Sequence, residues 1–201
     1  MSAATSRRPV LLAPLRIEAA AARAGARGCQ VERIGMGPAR AKAAGSRLRE
    51  LLPDGAPVAV LGFAGGLDST DRAGDLVVAT ELFATDVSTP STTLDTTLAE
   101  TIAVFLAREL GRVRMGPIAC SPILIPASQM SKAIGDKAVA CEMESAWLGP
   151  VTSGPFAVVR VIVDRPGRPL VSPFTVTGGI VAWRRLAYAA GAVATQLEQH
   201  K

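Results

Sequence analysis

Residues 138–146 read A-V-A-C-E-M-E-S-A, and residues 158–164 read V-V-R-V-I-V-D. Each is a run of small and apolar residues of strand length that delivers a carboxylate where it ends: Glu142 and Glu144 in the first, Asp164 in the second. An ionised carboxylate is costly to bury alone, so an acid at the edge of a core has either a counter-charge or a task. For Glu142 and Glu144 the plain alternative is the start of a solvated helix, and for Asp164 a helix cap or a salt bridge.

Around these two stretches the chain alternates strand-like and helix-like segments. Pro9 to Leu15 (P-V-L-L-A-P-L) reads as a short strand, followed by the helix start R-I-E-A-A-A-A-R, with Glu18 in its first turn, where the helix dipole favours negative charge. C-Q-V-E-R-I-G-M-G gives a second strand ending at Gly35 and Gly37, and a helix then runs to Pro53. Pro57 to Leu61 forms a buried strand before the glycines at 62, 65 and 66, and D-L-V-V-A-T-E-L forms the next. L-A-E-T-I-A-V-F-L-A-R-E-L has helical periodicity and stops at Gly111. R-V-R-M-G-P-I-A-C is again a strand, P-I-L-I-P-A-S-Q-M a proline-broken segment, and the chain closes with a helix over 177–199. This order predicts one α/β domain over residues 9–201, with a central mixed, largely parallel β-sheet flanked by helices, after a flexible tail at 1–8.

Composition narrows the chemistry. Of 201 residues 49% are hydrophobic but only 4% aromatic, so the core must be built from Ala, Val, Leu and Ile. The only histidine is His200, which excludes a Ser-His-Asp triad, and three scattered cysteines with that histidine offer no metal cluster. No metal or cofactor is expected. Cys29, Cys120 and Cys141 read as reduced, buried thiols. No apolar run reaches the ~18 residues of a membrane span, and the start is too short for a signal-peptide core, so a cytoplasmic location is expected. The net charge of +5 is concentrated in the first 50 residues, from Arg7 to Arg49. Without interleaved aromatics this reads as a solvated basic face rather than a nucleic-acid site, and peripheral contact with an anionic membrane stays open. No phosphate loop or dinucleotide fingerprint is present by spacing. The remaining chemistry is that of carboxylates.

An early Glu18, G-F-A-G-G-L at 62–67, G-D-L-V-V at 74–78, E-M-E-S-A at 142–146 and V-V-R-V-I-V-D at 158–164 occur in an order that resembles the nucleoside phosphorylase and nucleosidase superfamily. The pattern is most similar to the methylthioadenosine/S-adenosylhomocysteine nucleosidases. The resemblance implies cleavage of an N-ribosidic bond. Asp164 falls where the family has the acid at purine N7, and Glu18 where it has the carboxylate that activates water. Glu144, with Met143 beside it and Glu142 before it, falls at the ribose. Phe63, Ala64 and Gly65 fall in the substrate-binding loop, and Ile123, Leu124 and Ile125 where relatives hold the base. A homo-oligomer, commonly a dimer, is also implied.

Breaking a ribose–purine bond builds positive charge on the sugar and negative charge on the base, so an acid at the leaving group and an anion near the ribose both lower the barrier. Phe63 and Phe83 stand where phosphorolytic relatives carry polar residues, which favours hydrolysis. Arg16 and Arg40 keep a phosphorylase open, and the departures around the base keep a non-catalytic nucleoside-binding protein open. The segment R-P-G-R-P-L…T-V-T-G-G-I-V-A-W-R-R-L resembles the hopanoid-associated branch, which implies an adenine nucleoside with a large apolar 5′ group of the adenosylhopane type.

Overall fold

The computed structural model describes residues 8–86, 89–166 and 175–200, apart from the side chains of residues 127 and 175–177. Most of the expected tail, and residues 167–174 of the hopanoid-like segment, lie outside the described residues. Eight strands and six α-helices run in the order β1 (Val10–Ala13), α1 (Arg16–Gly25), β2 (Gln30–Arg33), α2 (Pro38–Leu51), β3 (Val58–Gly66), β4 (Leu76–Ala84), β5 (Thr92–Thr93), α3 (Thr96–Leu110), β6 (Val113–Cys120), α4 (Ala127–Ile134), β7 (Ala140–Glu142), α5 (Ser145–Leu148), β8 (Phe156–Asp164) and α6 (Thr175–Gln199). No described helix is long and apolar enough to cross a membrane.

The sheet is mixed and largely parallel, as the alternation of segments predicts. β1 pairs in parallel with β2 and β3, β3 with β8, β4 with β6, and β6 with β7. Three contacts are antiparallel: β3 with β7, β4 with β5, and β4 with β8. Its closure was not anticipated. β3 and β4 are nine residues long, and each changes partner along one edge. β3 holds β1 at Val58–Val60 and β7 at Gly65–Gly66, while β8 follows its other edge. β4 holds β8 at Leu76–Val78 and β5 at Glu81–Leu82. The ring β3-β8-β4-β6-β7 therefore returns to β3, with β2, β1 and β5 as extensions.

Strict alternation sorts β8 onto two apolar cores. Ala157, Val159 and Val161 face the core under α1, α3 and α6, with Leu61, Ile102, Leu186 and Val193. Phe156, Val158 and Ile162 face the core under α2 and α5, with Leu48, Val60, Ile118 and Trp147. Arg160 occupies the middle of this second face with no exposed surface. With few aromatics, density comes from close backbone approach. A Cβ on Gly25 of α1 would stand 1.5 Å from the Ala187 carbonyl oxygen of α6. Each buried Leu, Ile or Val contributes about 1.5–3 kcal/mol.

Local signals set the ends that matter. Gly37, at φ +90°, turns the chain into α2, which starts on Pro38. Gly149, at φ +62°, stops α5 after four residues. The proline-broken segment contains one element the sequence did not announce: after Pro126 the chain winds into α4, which brings Met130 against Gly65 of β3.

Candidate active site

The site gathers at the carboxyl ends of β1, β3, β7 and β8, where ligands collect in sheets of this kind. Pro14 stops β1, Leu15 stays extended as the N-cap of α1, and Glu18 stands in the first turn. Its carboxylate turns inward. Oε2 accepts from the Leu15 N–H at 2.7 Å, and Oε1 accepts from the Phe63 N–H of β3 at 2.6 Å. Only 2% of Glu18 is exposed. Burial pushes its pKa up, against the opposing pull of the Arg160 charge and the two N–H donors. The helix-dipole role expected of Glu18 is real, yet it accounts for one oxygen alone.

Gly62 explains why β3 carries glycine here. A Cβ at that position would stand 2.3 Å from Arg160 Nη1 and 2.7 Å from Glu18 Oε1. Those two atoms are therefore at most about 5 Å apart, and they make no direct ion pair or hydrogen bond. Such a gap suits one bridging water oxygen. The other face of the guanidinium is committed: Nη2 donates to Glu142 Oε2 at 2.5 Å and to Ser145 Oγ at 2.8 Å. Nε and Nη1 have no hydrogen-bond partner among the described residues.

Glu142 is the pivot of the E-M-E-S segment. Its Oε1 accepts from the Ser145 N–H and from the Cys120 thiol, and its Oε2 accepts from the Glu144 N–H and from Arg160. With both oxygens engaged by protein donors, Glu142 positions the following turn and Arg160 rather than facing a ligand. Glu144, next in that turn, is 4% exposed and accepts from the Gly37 N–H through Oε1 at 2.9 Å. Burial, and then the neighbouring Glu142 charge, push its pKa up to about 7. Met143 lies half-buried between the two acids. Burial also drives the Cys120 and Cys141 thiols upward, Cys141 to about 12, so both stay protonated and unreactive at neutral pH.

Asp164 ends β8. The β3–β8 register slips by one residue after Ala64, so Asp164 rather than Val163 faces Gly65. A Cβ on Gly65 would stand 2.9 Å from Asp164 Oδ1 and 2.4 Å from Met130 Sδ of α4. Burial raises the Asp164 pKa, opposed by a hydrogen bond from its own backbone and by no cation among the described residues. Gly62 and Gly65 are three residues apart on β3, so the Glu18 and Asp164 ends of the site are roughly 10 Å apart.

The structure thus brings Glu18, Glu142, Glu144, the backbone of residues 62–65 and Asp164 to one end of the ring. Phe63 is half-buried and offers its N–H to Glu18, whereas the Ala64 side chain belongs to the core. Ile123 and Leu124 do not form a wall within this chain: they are 69% and 76% exposed, and of that trio only Ile125 packs inward, against the cluster containing Met130 and Ile134. Two residues escaped sequence reasoning. Arg160 was visible as a lone charge inside an apolar strand, and Met130 had no signal because α4 did not. No group of three or more metal-capable side chains occurs among the described residues.

No family model matches the sequence, and no curated protein matches it. Solved structures do match in shape. The 5′-methylthioadenosine/S-adenosylhomocysteine nucleosidase of Campylobacter jejuni superposes with a TM-score of 0.78 at 18% identity, over 96% of this chain and all of that one. The nucleosidase of the same name from Streptococcus pneumoniae, solved with a transition-state inhibitor, gives 0.76 at 19% identity over 94% and 99%. That of Neisseria meningitidis, in complex with methylthio-immucillin-A, gives 0.70 at 20% identity over 96% and 98%. The chain has the fold of these nucleosidases.

Proposed function

We propose that the protein is a purine nucleosidase that hydrolyses the N-ribosidic bond of a 5′-modified adenine nucleoside and releases adenine. The observation that carries this reading is the meeting of two largely buried carboxyl groups, Glu18 and Asp164, at opposite ends of one site, with Glu144 beside them. In the forward step a water held between Glu18 and Arg160 attacks C1′. Glu18 takes its proton, the C1′–N9 bond breaks, and the bonding electron pair leaves with the purine. Asp164 donates its proton to N7, so the base departs neutral. Glu144 accepts from the ribose hydroxyls, and its charge stabilises the cationic sugar. The two carboxyls then exchange protons with solvent to reset. The division of labour parallels that of glycoside hydrolysis.

Each raised pKa fits its role. Burial keeps Asp164 protonated to higher pH, as a leaving-group acid requires, and makes the Glu18 anion a stronger base once formed. The adenine nucleoside is supported by the shared fold with enzymes named for methylthioadenosine. The 5′ group ranges from methylthio to an apolar arm of the adenosylhopane kind. We place the enzyme in the cytoplasm as a homodimer, with the exposed Ile123 and Leu124 covered by the second copy.

The test is a panel of 5′-modified adenosines, including 5′-methylthioadenosine, scored for free adenine with and without phosphate. Hydrolysis predicts adenine and free ribose product at a rate independent of phosphate. Nucleoside binding with no adenine released would reject the enzyme reading, and ribose 1-phosphate as product would replace it with a phosphorylase.

A further inference from the structure

Gly65 of β3 leaves a gap beside Asp164, and a side chain from another element fills it. A Cβ on Gly65 would meet both the Met130 thioether and Asp164 Oδ1, which sets sulfur and carboxyl at most about 5.5 Å apart. Met130 arrives there from α4, whose described side chains bury a single stripe, Met130 and Ile134. Ser131, next to Met130, ties the helix to the end of β3: its Oγ donates to the Leu67 carbonyl at 3.0 Å. Around the thioether stand Cys141 of β7 and Ala119 of β6, with Leu67, Phe83 and Ile125 at the margin, so the wall is apolar. Among the described residues the Asp164 carboxyl accepts only from its own backbone N–H. The proposed reaction requires this carboxyl to meet the leaving purine with its proton still on. Glu18 and Arg160 stand toward the other end of the site and do not secure that.

Resting on the nucleosidase reading above, we infer that Met130 is a positioning residue for Asp164: its thioether keeps water from the carboxyl on the β3 side, so that the proton goes to the leaving base rather than to solvent. A flexible, unbranched side chain with no donor and only a weak acceptor suits this place. Removing water from a carboxyl disfavours its anion, and a polar donor in the same position would favour it. The titratable groups on the neighbouring elements do not substitute for this effect. Cys141 of β7 stays a neutral thiol, with its pKa pushed up to about 12. Beyond it, Glu142 and Glu144 are engaged by Arg160 and by the Gly37 N–H. Asp71, in the turn after β3, is paired with Arg114, and Arg165, which follows Asp164, donates to the Ser69 carbonyl. Asp68 of that turn and Lys132 of α4 are exposed. Burial is accordingly the leading cause of the raised Asp164 pKa.

The test reads Asp164 directly as well as through turnover. Carboxyl-carbon NMR signals of the aspartates, with Asp164 identified by its loss in Asp164→Asn, are titrated in the full native chain, in Met130→Leu and in Met130→Gln. kcat/KM for 5′-methylthioadenosine is followed across the same pH range. Leu keeps the wall apolar and is expected to leave both the carboxyl titration and the pH profile as in the native protein. Gln has nearly the same length but brings an N–H donor to the carboxylate, so Asp164 is expected to titrate about one pH unit lower. At pH values above that titration kcat/KM should then fall by about three- to tenfold, with little change below it. Should the Gln variant fail to fold, as a melting curve would show, Met130→Ala opens the gap to water and is expected to move the titration in the same direction. An Asp164 titration that neither Gln nor Ala moves, or that Leu moves as far as they do, would overturn the inference. So would a loss of activity equal at every pH, which marks Met130 as structural alone. Adenine release by the native chain decides the nucleosidase reading separately, since the carboxyl titration needs no substrate.

Discussion

Replacing Arg160 by Met tests the frame of the site most sharply. The Arg160 and Glu142 side chains are 0% and 1% exposed, and their closest atoms are 2.5 Å apart. Met fills most of the vacated volume but leaves the Glu142 charge without a cation. Breaking such a buried pair from one side costs about 3–5 kcal/mol. Glu142 would keep its Ser145 and Glu144 N–H donors, which places the cost near the lower end, about 3 kcal/mol. In a domain of this size that lowers Tm by about 6–12 °C. Adding Glu142→Gln removes the stranded charge, so the double variant should recover most of the loss. Activity should not follow. Arg160 also opposes the burial-driven rise of the Glu18 pKa, so adenine release stays impaired in both variants. Calorimetry and urea titration, run beside kcat/KM for 5′-methylthioadenosine, separate the two effects. A single variant as stable as the native protein, or a double variant no more stable than the single, would refute the account of Arg160 as the counter-charge of the cluster.

Asp164→Asn should lower kcat/KM by about 10²–10⁴-fold, the worth of a general acid. Its stability at neutral pH should stay level or rise, because burial disfavours the charged form in the folded state; a fall in Tm together with retained activity would make Asp164 structural. Glu144 titrates near pH 7 in the folded chain and near 4.5 in the unfolded one, so its contribution to stability is greatest below about pH 4.5 and declines as pH rises through about 7. Catalysis needs its anion and should rise over the upper part of that window, and Glu144→Gln should flatten both profiles. Gly62→Ala would drive a methyl into Arg160 Nη1 and Glu18 Oε1, and kcat/KM is expected to fall at least tenfold as the gap between them is distorted.

Period and punctuation made much of this fold legible. The apolar run V-V-R-V-I-V-D and the helical spacing before Gly111 both correspond to observed elements. Sheet closure was not legible, because it depends on β3 and β4 changing partners part-way along, and a sequence shows that a segment is extended without showing its register. β3 was expected to end at Leu61 yet continues through Gly66. Glycines have low strand propensity, but here their missing side chains admit Arg160, Glu18 and Asp164 from neighbouring elements, and packing overrides propensity. α4 was hidden because prolines suggested irregular chain where Pro126 in fact precedes a helix. The acids announced themselves by standing at strand ends. Arg160 was read only as part of a strand, since nothing in one dimension shows that its nearest partner is Glu142, eighteen residues away.

The balance of charge bears on the choice between water and phosphate. Glu18, Glu142 and Glu144 gather around the guanidinium of Arg160, whose Nη2 already serves Glu142, and Asp164 stands farther along at the end of β8. Among the described residues, a phosphate dianion drawn to C1′ would have only the remaining N–H groups of that guanidinium and would stand among the acids in a site of low dielectric, where like charges repel strongly. Phe63 and Phe83, both half-buried, add no donor from their side chains. Water would meet no such repulsion, and in the proposed step it would donate to Glu18 and accept from Arg160 at once. The same excess of negative charge that repels phosphate lowers the energy of a ribosyl cation. Under the proposed reaction the rate would come from the charge on the sugar rather than from the strength of the nucleophile, so adenine release is expected to be indifferent to phosphate concentration.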